Sequence, residues 1–316
     1  MSISMLADPP PDFWPSLAQH LLIGLANGSL FALLALGYTM VYGIIELINF
    51  AHGDVFMLGA FLALALASWL GLNDAGPGAA AAGIALMFVL VPLFCAGLNV
   101  AVDRLVYRPL RGAPKLASLV SAIGASLVLM NIGLFWGGAA DVSFPDLLPR
   151  GNLLGGSPMQ FSVKDLLAIA VAAPAMIAIG LFVKYARLGK AMRAAAQDPL
   201  AAQLVGISVD RVIAAAFALG GALAGIASVV YSLTINTISF QMGFQNGLYA
   251  FTAAVLGGIG NLPGAMLGGL LIGMVRSLGS AYLGERWTSA AVFAILILIL
   301  VLRPQGLLGS RVREKV

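Results

Sequence analysis

The chain has 316 residues, of which 60% are hydrophobic and only 9% charged, with a formal net charge of +4 and a mean hydropathy of +0.99. Soluble domains are nearer half apolar and about a quarter charged, so this composition excludes a soluble globular protein and indicates one embedded in a bilayer. The apolar blocks reach the ~20 residues of a spanning helix and are too continuous for the alternating ~10-residue strands of an outer-membrane barrel.

The first 16 residues, "MSISMLADPPPDFWPS", contain no Lys or Arg and so lack the basic start of a signal peptide. They are expected to form an unstructured N-terminal tail. Hydropathy then predicts spans at 17–43, 50–70, 79–102, 116–137, 165–185, 209–234, 247–261, 264–283 and 287–302. The expected fold is an all-α polytopic membrane protein of about eight to nine transmembrane segments, with broken helices and a weak internal repeat. One membrane domain covers 17–303, followed by a C-terminal tail at 304–316.

The second predicted span opens on an unusual stretch, "ELINFAHGDVFMLGAF" (46–61). Glu46, His52 and Asp54 fall within nine residues of a weakly charged chain. Polar groups at membrane depth are costly and face the protein interior or a water-filled cavity, and non-helical backbone there has the same restriction. Three chemistries fit. In a solute pathway, Glu46 or Asp54 attracts an ammonium group, Asn27, Asn49 and Asn261 hydrogen-bond a polar solute, and Gly53 and Gly264 allow a turn or a close approach. A half-helix starting after either glycine offers free N–H groups to a carboxylate. In an intramembrane enzyme, His52 and Asp54 form a base and its orienter, although residues two apart on a helix point in different directions and no nucleophile motif accompanies them. In the third reading Asn49, His52 and Asp54 simply cap the following helix.

Cys95 is the one cysteine, and His20 and His52 are the two histidines. That excludes an internal disulfide and leaves no ligand cluster for zinc or iron; no cofactor and no metal is expected. Several helices carry glycines four apart: Gly24 and Gly28, Gly133 and Gly137, Gly221 and Gly225, Gly264 and Gly268, Gly269 and Gly273. Such spacing lets helix backbones approach in lipid.

Thirteen of the seventeen Lys and Arg fall in three places: "DRLVYRPLRGAPK" (103–115), the stretch 184–211, and the tail from Arg303. This is the clustering of cytoplasmic loops, and it gives no reason to expect nucleic acid. It sets the N-terminus outside, the C-terminus inside, and the Pro- and Gly-rich segment 140–165 outside. Within 184–211, Asp198 followed by Pro199 predicts a helix N-cap and first position, with "LAAQLVG" as a short helix ended by Gly206. Such an element, carrying Arg193 and Gln197 just upstream, either docks into a groove on a partner or is a solvated loop.

"NLPGAMLGG" from Asn261 echoes "NFAHGDVFMLGA" from Asn49, and interrupted helices in corresponding halves point to a transport pathway. Arg276 falls inside a predicted span; it either pairs with an acid or reaches the interface, and a functional role is the default for such a residue. No energy source is visible. "RLGKAM" has Ala191 where a phosphate-binding loop needs a hydroxyl, and "GGIGNLPG" has the wrong spacing for a dinucleotide fingerprint.

Three stretches together, "GLANGSLFALLALGYTMVYGIIELINFAHGDVFMLGAF", "GKAMRAAAQDPLAAQLVGISVDRVIAAAFALGGALAGIA" and "AFTAAVLGGIGNLPGAMLGGLLIG", closely resemble the permease subunits of high-affinity branched-chain amino-acid ABC importers. The resemblance is to the shorter of the two paired permeases and runs from about Leu21 to Leu308. It implies a bacterial inner-membrane importer that is not itself an enzyme. The implied partners are a second, homologous permease in a heterodimer, two cytoplasmic ATP-binding subunits and a periplasmic solute-binding protein. It also implies that Gly189 to Gly206, with Arg193, Gln197, Asp198 and Pro199, is the ATPase-coupling loop. Arg276 stands where the resemblance implies no fixed basic residue. The motifs do not separate leucine, isoleucine and valine from urea or short amides, and the residues alone leave open a stand-alone secondary transporter or channel.

Overall fold

The computed structural model describes residues 13–149, 151–155, 159–303 and 305–309. Among them are eleven α-helices: α1 (Phe13–Ile45), α2 (His52–Trp69), α3 (Pro77–Val102), α4 (Lys115–Gly137), α5 (Val163–Tyr185), α6 (Arg187–Gln197), α7 (Pro199–Leu204), α8 (Val209–Ile235), α9 (Met242–Gly257), α10 (Leu262–Tyr282) and α11 (Glu285–Leu302). Eight are long and apolar enough to cross a membrane. The predicted span 247–261 appears as α9, whose 16 residues fall short of that length. The first helix begins at Phe13, inside the expected N-terminal tail; the rest of that tail, residues 1–12, lies outside the described residues, as do 304 and 310–316 of the C-terminal one.

The long helices alternate in direction between two ends of the bundle. One end collects the basic stretches 103–115 and 184–211, the α1–α2 and α9–α10 connections and the α6–α7 pair. The opposite end carries the described parts of the 138–162 segment. There a two-residue strand β1 (Val142–Ser143) pairs antiparallel with β2 (Thr237–Ile238), and Lys164 pairs with Asp146 at 2.9 Å. Gln19 of α1 accepts the Gln160 N–H at 2.6 Å. The capping box of Ser162 and Asp165 starts α5.

In lipid no hydrophobic force pulls helices together, so small residues that allow close packing set the contacts. All five glycine pairs lie at such contacts. On α1, a Cβ at Gly24 would stand 2.8 Å from Met274 Cα, and one at Gly28 2.8 Å from Leu270 Cα, both on α10. Gly269 and Gly273 answer from the α10 side, against Ala32 and Gly28. Gly221 and Gly225 seat α8 on Cys95 and Pro92 of α3, Gly264 and Gly268 seat α10 on α9, and Gly133 and Gly137 leave room for Met57 and Phe61 of α2. The central element is α2, buried along most of its length and enclosed by α3, α4, α8 and α9. By contrast α3, α4, α5 and α11 leave most of their surface uncovered by the described residues.

Candidate functional site

A cavity of about 560 Å³ lies among α1, α2, α8, α9, α10 and α11. His20, Ile235, Ser280, Ala281 and Glu285 stand at its outer part, close to the helix ends opposite the basic end. Leu30, Phe31, Leu34 and Phe56 form its apolar depth, and Asn27, Asn246 and Arg276 are its inner polar groups. Its size falls in the ordinary range of small-molecule sites, ~300–1,000 Å³. Asn27 is the one sequence-predicted pathway residue on its wall.

Arg276 is held rather than free. Its guanidinium lies 4.4 Å from the Tyr249 ring centroid and 5.5 Å from that of Phe31. Tyr249 is itself fixed by stacking on Phe293, with rings 6.1 Å apart and inclined 18°, and by a 2.6 Å hydrogen bond to Ser289. Such cation–π seats are attractive and directional. Glu285 Oε1 stands 3.5 Å from Arg276 Nη2, with the glutamate side chain 71% exposed. The buried Nε has no hydrogen-bond partner among the described residues. Tyr249 and Phe31 were invisible as arginine partners in the sequence, because they come from helices distant in the chain.

The 46–51 connection runs from the exposed Glu46 back toward the interior, where Asn49 and Ala51 are buried. A Cβ at Gly37 would collide with the His52 ring, so α2 starts beside Gly37. That is eight residues, about 12 Å, short of the end of α1 at Ile45. The part of this non-helical backbone next to α2, at Asn49 and Ala51, is enclosed by protein, as membrane depth requires. Glu46, at φ +54°, ends α1 and is exposed at the basic end. Asn49 is buried; its Nδ2 donates to Asn99 Oδ1 at 2.9 Å, and Asn99 Nδ2 donates to the Phe217 carbonyl at 2.7 Å. Tyr107 Oη donates to the Ile48 carbonyl at 2.9 Å. Asn99 and Tyr107 went unremarked in the sequence, although a lone Asn in "FCAGLNVAV" was the available signal.

His52 is fully buried against Tyr38, with ring centroids 4.8 Å apart. Neither of its ring nitrogens has a hydrogen-bond partner among the described residues. It lies one helical turn below Phe56, the α2 residue in the cavity depth. Asp54 points elsewhere and accepts a hydrogen bond from Ser126 of α4. The base-and-orienter pair is thus not formed. The capping reading also needs correction: α2 starts after Ala51 with no side-chain cap, because the Asn49 and Asp54 side chains are engaged by α3 and α4. Gly53 sits within the helix, and its close approach is to Gly243 and Gly247 of α9.

Asn261 does at α10 what Asn49 does not do at α2. Its Oδ1 accepts the Gly264 N–H at 3.0 Å as N-cap, and its Nδ2 donates to the Leu308 carbonyl at 2.6 Å. Gly264 faces the Gly257 carbonyl of α9. Residues 305–309 fold back on this corner, where Leu307 and Leu308 donate their N–H groups to the Leu256 and Gly257 carbonyls at 2.8 and 3.0 Å.

The 184–211 segment folds as predicted from its cap residues. Asp198 caps α7, accepting from Leu200 and Ala201 N–H at 2.9 and 3.0 Å, with Pro199 at the first position. Gly206 ends it at φ +86°. On α6, Gly189, Met192 and Ala195 form the buried face, and Gly189 lies against the Phe182 and Val183 backbone. Arg193 donates to the Val183 and Lys184 carbonyls, closing the end of α5. Gln197, the last residue of α6, is exposed. Leu200, Leu204 and Val205 are 73%, 89% and 76% exposed, an apolar face at α7 and its C-cap that no other described residue covers.

The family model described as "Branched-chain amino acid transport system / permease component" matches residues 20–301. The chain is 42% identical over 304 residues to the high-affinity branched-chain amino acid transport system permease protein BraD of Pseudomonas aeruginosa, covering 94% of this chain and 97% of that one. It is 42% identical over 305 residues to the permease protein LivH of Escherichia coli K12, with the same coverage. To the permease protein LivM of the same organism it is 24% identical over 311 residues, covering 93% of this chain and 72% of LivM. No solved structure matches the chain.

Proposed function

The chain belongs to the branched-chain amino acid transport permease family, and from that premise we propose that it is one permease subunit of an ATP-driven importer for leucine, isoleucine and valine. It works in the bacterial inner membrane with its N-terminus outside and its C-terminus inside. Its partners are a second permease of the LivM kind, two cytoplasmic ATP-binding subunits and a periplasmic solute-binding protein.

One observation carries this reading beyond family membership: the cavity and the uncovered α7 face lie at opposite ends of the same bundle. Solute delivered from outside reaches the cavity through the end lined by His20 and Glu285. A partner driven by ATP pushes on α6 and α7 at the basic end. The Arg193 bonds to the end of α5 and the α7 run into α8 carry that push into the membrane helices. Asn27 contacts solute from the cavity wall. Asn49, His52 and Gly53 lie beneath the apolar depth and act as gate geometry, where α2 must part from its neighbours for solute to pass inward. Glu46, Asn261 and Gly264 border the inner end of that route. This is alternating access around a central site.

The test is uptake of radiolabelled leucine into proteoliposomes holding this chain alone or with all partners and ATP. Leucine uptake only by the complete, ATP-supplied assembly supports the reading. Solute movement by the chain alone, or uptake of urea without leucine, overturns it.

A further inference from the structure

We infer that Arg276 is the carboxylate-binding residue of the solute site, with Asn27 and Asn246 beside it and the Leu30–Phe31–Leu34–Phe56 surface taking the aliphatic side chain. The inference rests on the transport reading above and adds what that site recognises.

The geometry points to an anion with an apolar appendage. Arg276 lies about 9 Å inside the outer end of α10, at a depth where an ionisable residue marks a solute pathway by default. Its ring seats on Tyr249 and Phe31 orient the planar guanidinium at the cavity, and a guanidinium matches a carboxylate in bidentate fashion. The acid beside it is a poor permanent partner. Glu285 is 3.5 Å away, belongs to a different helix and is mostly solvated. A solute carboxylate entering between them takes the guanidinium, and the displaced Glu285 stands at the outer part of the cavity where an α-ammonium group would follow. One arginine and one glutamate thus meet the two charges of a zwitterion. Beneath them Leu30, Phe31, Leu34 and Phe56 line the cavity, offering hydrocarbon and no hydrogen-bonding group. Urea and short amides have neither a carboxylate nor a branched aliphatic end, so this cavity disfavours them.

The experiment is leucine uptake by the complete assembly in proteoliposomes, with wild type, Arg276→Gln and Arg276→Lys compared at equal co-purification of all subunits. Wild-type uptake with at least a tenfold loss in Arg276→Gln, and partial recovery in Arg276→Lys, is the expected result. Uptake by Arg276→Gln within twofold of wild type overturns the assignment alone. If Arg276→Gln fails to assemble, Arg276→Lys decides: an assembled Arg276→Lys with at least a threefold loss of leucine uptake supports the assignment, and smaller losses overturn it. A wild-type assembly that imports no leucine overturns the transport reading, and the assignment with it.

Discussion

Asn49 and Asn99 are hydrogen-bonded at 2.9 Å, with 1% and 0% of their surfaces exposed, tying the connection before α2 to the middle of the bundle. Asn99 then passes the contact to the Phe217 carbonyl of α8. Two amides thus join the connection before α2 to α3 and α8.

Removing one of these amides leaves a buried donor or acceptor unpaired, at a cost of about 1–3 kcal/mol. Asn99→Ala should lower stability by that amount in a mixed-micelle unfolding titration. Asn99→Leu, which fills the space without restoring the bonds, should recover less than half. An unchanged unfolding midpoint in Asn99→Ala would show that the Asn49–Asn99–Phe217 chain carries no stability.

The α1–α10 crossing should be intolerant of added bulk. Gly28→Val places atoms against the Leu270 backbone, and overpacking of this kind typically costs about 1–3 kcal/mol. Gly97 on α3, where a Cβ meets nothing within 4 Å, is the control; Gly97→Ala should change stability by no more than about 1 kcal/mol. Parallel thermal unfolding of both variants in detergent checks the contrast.

Asp103 is 2% exposed at its side chain and pairs with Arg111 at 2.7 Å; Arg111 also reaches Asp210 at the start of α8. Arg111→Ala strands a buried carboxylate, which typically costs about 3–5 kcal/mol. The double change Asp103→Asn with Arg111→Gln should regain part of that. Arg108→Ala, which removes an ion pair more than half exposed on both sides, should cost less than about 1 kcal/mol. Unfolding midpoints of the three variants test the ranking.

Leu204→Asp should leave the permease folded, because its side chain lies on the surface. It should reduce co-purification of the ATP-binding subunits and ATP-driven uptake about tenfold, the loss of about 1.4 kcal/mol at an interface. Asp198→Ala should act through the α7 cap, costing about 1 kcal/mol locally, with a smaller fall in uptake. Equal uptake by Leu204→Asp and wild type would exclude this face as the docking surface.

Local signals in the sequence translated into structure with little loss. Apolar runs gave the spans to within a few residues, and Asp198, Pro199 and Gly206 delimited α7, because caps and left-handed termini are decided by neighbours one to three positions away. The glycine pairs marked real crossings for a similar reason, although nothing local said that Gly24 and Gly28 meet Gly269 and Gly273. The site was harder to read. Asn49 and Asn261 open similar motifs, yet one bonds a helix fifty residues on and the other caps its own. Asp54 looked like a cap until Ser126, 72 residues later, came within reach. Arg276 had no visible partner because its aromatic seats and Glu285 converge only when α1, α9, α10 and α11 pack. Spacing along one helix carries no information about which other helices supply the facing side chains.

The enclosure of α2 bears on how the protein is made. This helix is born with His52 and Asp54 in its first turn, and its covering helices include α8 and α9. The ribosome finishes α9 188 residues after the end of α2, roughly 10 to 40 s at ~5–20 residues per second. During that interval α2 has only the earlier helices and the insertion machinery to shield its polar turn from lipid. Ser126 on α4 offers Asp54 its hydrogen bond about a third of the way through the wait. The central helix is thus the second to be synthesised but is not fully enclosed until α9 has been made.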